Sequence, residues 1–325
     1  MPTYGPDVIN FEGVNGHRYW FYEPFVYTGI IEIDERLSGF PVSIFLPQYR
    51  PLHETPLVIG LQGMGAPYGW NAFIVPTLTE MGIAVALFDT PFAGERSLAR
   101  TFTALVQDEI KPLNQMGVSF DTKLLLQIFG STAHDIAWVR DFCCERYGLG
   151  DGRLALFGVS MGVLLSAFAF AAEGLGERLL GTIGHADLQS FAKSWGSGLL
   201  PDLAASPVGK LAEILLSKKR PDVKAGIDVL RVAKNLKYPD EIGKACNPMN
   251  YVDWVKPERR VRFLVGAKDP MVNVADAQRC AKRFPDGACY VVPGLGHGVT
   301  YYSSSSSFVD HVRYFLVTQL ADWRG

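Results

Sequence analysis

An uncharged stretch from Leu154 to Ala172, LALFGVSMGVLLSAFAFAA, constrains this chain more than any other feature. Its length alone would serve a membrane span. Gly158, Ser160, Gly162 and Ser166 interrupt it, and a turn-like GVSMG lies at its middle. It therefore reads as a buried strand, Arg153–Val159, running into a buried helix, Met161–Glu173. A strand and a helix that are apolar on all sides require cover on all sides. A layered domain with a large core supplies that cover. With 325 residues, 48% hydrophobic and 20% charged, the chain can build one.

Further short apolar runs alternate with helical patterns. Pro56–Leu61, Ile83–Phe88, Leu179–His185, Arg260–Gly266 and Ala288–Val292 read as strands. Asn71–Met81, Thr132–Tyr147, Asn273–Phe284 and Ser307–Trp323 read as helices, two of them followed by glycine stops. Strands this continuously apolar belong to a mostly parallel sheet with helices on both faces, an α/β fold. Tyr27–Asp34 and Phe40–Pro47 are expected to be extended. The aromatic-rich residues 1–26 are expected to be an N-terminal extension packed on the body. Residues 188–257 break the alternation with polar, lysine-bearing helical pieces such as Leu211–Lys218 and Ile227–Asn235. They are expected to form a helical cap or lid, inserted into a core made of residues 27–187 and 258–325.

Charge and cysteine usage exclude some classes. A net charge of −2 gives no electrostatic footprint for nucleic acid. No repeat of solenoid or propeller length stands out. The start of the chain lacks a basic segment followed by an apolar one, so it does not read as a signal peptide. Five cysteines, an odd number without a C-x-x-C pair, argue against a disulfide framework and against a zinc site. No metal is therefore expected, and a reducing compartment, the cytoplasm, is the expected location. Nothing in the sequence fixes an oligomeric state.

The chemistry-bearing residues follow from the turn. In GVSMG the residues two before and two after Ser160 crowd together, and glycine at 158 and 162 removes the side chains that would clash. Ser160 is then held with its hydroxyl exposed at the strand end. A serine hydroxyl needs a base to act as a nucleophile at neutral pH. His297, in the PGLGHG loop after the last strand, can swing onto a neighbouring strand's loop. His17 and His53 lie before or at early strands, His134 and His311 lie in helices, and His185 ends a strand near the insertion. The base in turn needs a carboxylate. Asp269, in GAKDP directly after a strand, is the first candidate, and Asp187, after the preceding strand, is the alternative acid. The developing oxyanion needs amide donors. Met161 at the helix start is one candidate, and Met64 in the Gln62–Gly63–Met64–Gly65 loop is the second. The glycines at 60, 63 and 65 fit neither a dinucleotide fingerprint nor a P-loop, so no nucleotide is expected.

Together these segments resemble the α/β-hydrolase superfamily, from about Tyr27 to the C-terminus outside the insertion. The resemblance rests on GVSMG (158–162), GAKDP (266–270), GLGHG (294–298) and the LQGMG loop (61–65). DTPFAG (89–94) is similar to an Asp-x-x-x-x-Gly loop of that superfamily. The order Ser160, Asp269, His297 is the nucleophile–acid–base order of the fold. The resemblance implies a mostly parallel, roughly eight-stranded sheet with helices on both faces and a helical cap insertion. It implies acyl transfer, with Ser160 attacking, His297 as base, Asp269 orienting it, and the Met161 and Met64 amides holding the oxyanion. The chain is thus expected to be a serine carboxylesterase, acting on a small-molecule ester without a cofactor.

Some relatives draw their acid from the position of Asp187. The chain also departs from common patterns. Gln62–Gly63 stands where many members have His-Gly, the HGGG form is absent, and Val163 replaces a frequent third glycine. Serine at 160 argues against haloalkane dehalogenases and epoxide hydrolases, which have aspartate there, and against dienelactone hydrolases, which have cysteine. Thioester, amide or carbon–carbon bond hydrolysis, acyl transfer and perhydrolysis on the same triad stay open, as does a non-enzymatic binding protein.

Overall fold

The computed structural model describes residues 3–22, 24–63, 66–98, 115–118, 122–149, 153–191, 241–269, 271–297 and 306–323. The uncharged stretch divides as its glycines require, into strand Leu154–Val159 and helix Met161–Ala171. Every residue from Gly162 to Ala171 is buried, which is why this helix shows no polar face. Among the described residues no helix is long and apolar enough to cross a membrane.

Among the described residues the strand is an interior member, sixth in order, of a nine-stranded sheet. Its members are β1 (Thr3–Phe11), β2 (Val14–Tyr22), β3 (Gly39–Phe45), β4 (Leu57–Leu61) and β5 (Ala84–Phe88), then β6 (Leu154–Val159), β7 (Arg178–Thr182), β8 (Arg260–Gly266) and β9 (Asp286–Val292). The spatial order is β1-β2-β3-β5-β4-β6-β7-β8-β9. From β5 to β9 all neighbours are parallel, whereas β1/β2, β2/β3 and β3/β5 are antiparallel. The expected sheet of roughly eight strands is corrected to nine, with an antiparallel edge.

The additional edge comes from residues 3–22, which are not a mere extension but a hairpin paired into the sheet. Glu12 and Gly13 both have positive φ (45° and 86°), as a two-residue type I′ turn demands. Tyr19 and Phe21 point inward while Trp20 and Tyr22 are exposed. Phe21 meets Trp138 and Phe142 edge-on at 4.7 and 5.0 Å, and the Tyr19 and His17 side chains bond the Tyr147 hydroxyl at 2.8 and 2.9 Å.

Helices α1 (Ile31–Ser38), α2 (Val75–Glu80), α3 (Thr122–Tyr147) and α4 (Met161–Ala171) are followed by α5 (Glu241–Cys246), α6 (Val274–Arg283) and α7 (Ser306–Gln319). Residues 31–34, expected to be extended, belong instead to α1. Ile31 and Ile33 mimic strand alternation, but the buried pair is Ile33 and Leu37, four residues apart on one helix face. Strand side chains alternate between two cores. Ile59, Ala86, Leu156 and Leu179 pack with α1, α3, α4 and α6 on one face. Val58, Val85, Phe157 and Leu180 pack with α2 and α7 on the other. Residues 192–240 of the expected cap lie outside the described residues. Of its remainder, Cys246, Val252 and Val255 join the core beside α3 and α4.

One ion pair is buried in the first core. Arg96 donates to Asp135 at 2.6 Å, with 1% and 5% side-chain exposure. The rest of the guanidinium donates to the Leu37 carbonyl at 2.6 Å, the Asp89 carbonyl at 3.2 Å and the Tyr27 hydroxyl at 2.7 Å. Burial opposes the charge of Arg96, and the partners outweigh it and raise its pKa. Removing one partner strands the other charge. Asp135→Ala is therefore expected to lower the unfolding free energy by about 3–5 kcal/mol, read from urea denaturation.

Candidate active site

The parallel strands β4 to β9 direct all their following loops to one sheet end, where crevices of open α/β sheets form. Ser160 follows β6 there, with φ 53° and ψ −116°. Such a backbone costs an L residue about 1–3 kcal/mol and persists only where neighbours enforce it. Here they do. A Cβ on Gly158 would lie 2.4 Å from the Gly162 carbonyl oxygen, and one on Gly162 would lie 2.4 Å from that of Leu61. The Ser160 amide donates to the Thr182 carbonyl at 3.0 Å, which ties the turn to the end of β7.

The loops after β8 and β9 are laid against each other. Ala267 N–H donates to the Val292 carbonyl and Lys268 N–H to the Leu295 carbonyl, each at 2.9 Å. This contact depends on Gly266, where a Cβ would stand 2.2 Å from the Leu295 oxygen. His297 is thereby brought to Asp269. Its Nδ1 lies 2.8 and 3.0 Å from the two carboxylate oxygens. Asp269 Oδ1 also accepts the Met271 and Val272 amides at 2.8 and 3.0 Å, and its side chain is fully buried. A carboxylate only accepts, so Nδ1 carries the proton and Nε2 is left to accept. Ser160 Oγ lies 3.0 Å from that Nε2.

The structure thus brings Ser160, His297 and Asp269 into one hydrogen-bonded line and leaves Asp187 out of it. Asp187 is occupied elsewhere. Its Oδ1 accepts the amides of Gln189 and Ser190 at 3.0 and 3.2 Å, and its Oδ2 accepts the Ser190 hydroxyl at 2.6 Å. Met161 opens α4 directly after Ser160, in the first turn, where helix amides lack partners within the helix. Met64 lies outside the described residues. Its loop is bounded by Gly63 and Ala66, joined by an Ala66 N–H to Gly63 carbonyl bond of 3.1 Å.

His185 is a second histidine beside this line, 1% exposed and stacked on Phe191 at 4.3 Å. Its Nδ1 accepts the Asp187 amide at 3.1 Å, so its proton sits on Nε2. Burial pushes its pKa down to about 4; the Asp187 and Asp269 charges pull the other way. The fold accepts the neutral ring, so between pH 6.5 and 4 protons bind the unfolded chain in preference. This contribution to stability is complete above 6.5 and is lost as pH falls through 4. A shift of this size corresponds to roughly 3 kcal/mol. Chemical denaturation at pH 7 and at pH 4 is expected to show that pH-dependent loss in the wild type and its absence in His185→Gln.

Asp89 and Gln62 carry more of the site than the sequence pattern suggests. Asp89, 1% exposed, accepts the Tyr68 amide at 2.6 Å on Oδ1 and the Glu95 amide at 2.9 Å on Oδ2. Burial pushes its pKa up to about 6, against the pull of those two amides and Arg96. Gly94, with φ 50°, lies so close that a Cβ there would stand 2.3 Å from the carboxylate. Gln62, also 1% exposed, donates from Nε2 to the Thr90 hydroxyl at 3.4 Å. Among the described residues no group of three or more His, Cys, Asp or Glu is placed to hold a metal ion. Burial pushes the thiols of Cys143, Cys280 and Cys289 upward, so none is poised as a thiolate.

No protein-family model matches the chain, and no curated protein matches it by sequence. Solved structures do match in three dimensions. A cold-adapted esterase from an Arctic intertidal metagenomic library is similar over 97% of this chain and 99% of its own, at 15% identity and TM-score 0.51. A carboxyl esterase from Bacillus coagulans is similar over 87% and 94%, at 15% identity and TM-score 0.52. A proline iminopeptidase from Mycobacterium smegmatis is similar over 87% and 96%, at 16% identity and TM-score 0.52. The shared feature is architecture: the chain has the α/β-hydrolase fold.

Proposed function

We propose that the protein is a serine hydrolase that cleaves small-molecule carboxylic esters through an acyl-enzyme on Ser160. One observation carries the proposal: Ser160 Oγ, His297 and Asp269 stand in line at 3.0 and 2.8 Å, with the serine on a strained turn at the sheet's ligand-binding end. The esterases among the structural neighbours agree with it.

In this reading Ser160 Oγ forms a bond to the ester carbonyl carbon as its proton passes to His297 Nε2. Asp269, already accepting from Nδ1, stabilises the imidazolium. The oxyanion takes the Met161 amide and, from the loop after β4, that of Met64. Collapse breaks the bond to the leaving alkoxide, which takes the proton from Nε2. Water then attacks the acyl-enzyme, giving its proton to Nε2, and the acid leaves as Ser160 regains its hydrogen. Over one cycle the Ser160 proton leaves with the alcohol and a proton of the water replaces it, while His297 and Asp269 carry the transient charge. The reading keeps residues 188–257 as a cap insertion; of its described residues, Cys246, Val252 and Val255 pack into the core of the body.

The test is turnover of p-nitrophenyl esters of graded acyl length. A burst of nitrophenol equal to the enzyme concentration, with acyl mass found on Ser160, is the expected result. A well-folded enzyme that releases none from any ester and takes no fluorophosphonate label at Ser160 would refute the proposal.

A further inference from the structure

The loop after β4 is tied at both ends to one dipeptide, Asp89–Thr90, that belongs to the loop after β5. At its start, Gln62 Nε2 donates to Thr90 Oγ1 at 3.4 Å. At its end, Tyr68 N–H donates to Asp89 Oδ1 at 2.6 Å. The same Tyr68 is gripped from its other end, since its hydroxyl accepts from Arg18 and from Ser43, the latter at 2.9 Å. Asp89 is itself held by the Glu95 amide and by the close approach of Gly94. An ionised carboxylate here offers an acceptor to each of two amides that approach from opposite sides. Neither an asparagine nor a serine can do that.

We propose that Asp89 is a positioning residue for the acyl-transfer reaction: its carboxylate holds Tyr68, the far end of the loop after β4 from which the proposed mechanism draws its second oxyanion donor. Asp89 does not touch the substrate. It acts through Tyr68 at the far end of the loop that carries Met64. This inference rests on the serine-hydrolase reading. Oxyanion stabilisation is demanding in distance, so a small drift of one donor is felt in the transition state and hardly in the bound ester. Misplacement by about 1 Å costs on the order of 100-fold in rate.

Asp89→Asn keeps the shape and one acceptor but turns an amide donor toward one of the two backbone N–H groups. Its kcat on a p-nitrophenyl ester is expected to fall about 10- to 100-fold, with KM within about 3-fold. The inhibition constant of an alkylboronic acid, which forms a tetrahedral adduct on Ser160, is expected to rise by the same factor. Titration with a fluorophosphonate gives the fraction of sites that are intact, and all rates are taken per intact site. A merely structural role would lower that fraction and leave the per-site kcat and boronate affinity alone, which would overturn the inference. Unchanged per-site kcat in a labelled, folded variant would overturn it as well. If Asp89→Asn does not fold, Asp89→Ser, which likewise cannot serve both amides, takes its place, and an unchanged per-site kcat there is the overturning result. A wild type that takes no label at Ser160 would refute the hydrolase reading and this inference together.

Discussion

Ser160→Ala is expected to abolish the nitrophenol burst and to lower kcat by roughly 10⁵- to 10⁶-fold, while leaving the fold and the KM of residual turnover nearly unchanged. Each factor of ten corresponds to about 1.4 kcal/mol of barrier, so the single oxygen is being asked to account for about 7–8 kcal/mol. The expected effect is this large because, in the proposed mechanism, the attacking atom, the acceptor of its proton and the group that stabilises the acceptor work as a unit. Once the oxygen is gone, His297 and Asp269 have no proton to move. Alanine should be well tolerated structurally. The strain at position 160 is in the backbone, and among the described residues the side chain bonds His297. The check is steady-state and burst kinetics beside circular dichroism. Activity that survives would mean that another nucleophile operates.

Asp269→Asn is the second large effect, expected at about 10⁴-fold in kcat, or about 5 kcal/mol of barrier. Asparagine can present its amide to Nδ1, which then must accept, moving the imidazole proton to Nε2. The ring would face Ser160 Oγ with a donor instead of an acceptor. The loss is therefore one of tautomer and charge rather than of position. Asp187→Asn provides the contrast. Asp187 accepts from Gln189 and Ser190 and does not reach His297, so a change of less than about 10-fold in kcat is expected. The pair of variants decides between the two carboxylates by kinetics alone, since either substitution preserves volume. A larger loss in Asp187→Asn than in Asp269→Asn would reverse the assignment of the acid.

The three candidate residues that the structure brings together, Ser160, His297 and Asp269, were legible because each carries a local signal. Ser160 stands between two glycines where an apolar strand meets an apolar helix. Asp269 follows a strand directly, and His297 lies in a loop of glycines. What brings them together was not legible. Gly266 looks like any loop glycine until the Leu295 oxygen is found 2.2 Å from where its Cβ would be. The N-terminal hairpin escaped for a different reason. Aromatic residues occupy both of its faces, Tyr19 and Phe21 inward and Trp20 and Tyr22 outward, so hydropathy shows no alternation. Its turn, Glu12–Gly13, is a weak signal, since asparagine or aspartate before glycine is the usual one. The Arg96–Asp135 pair and the Asp89 clamp were invisible because they depend on strand order. β5 lies between β3 and β4 in space, and no pattern within a segment reports that.

In the proposed mechanism the Arg18–Tyr68 bond gives the antiparallel edge of the sheet a say in catalysis. Arg18 sits on β2, in the hairpin formed by the first residues of the chain, yet its guanidinium holds the phenol of the residue that ends the loop after β4. Trimming the N-terminus to simplify the protein would thus remove more than a decorative ribbon. It would free one end of the loop proposed to receive the substrate's negative charge, and a truncation planned for solubility would then be registered first as a loss of turnover.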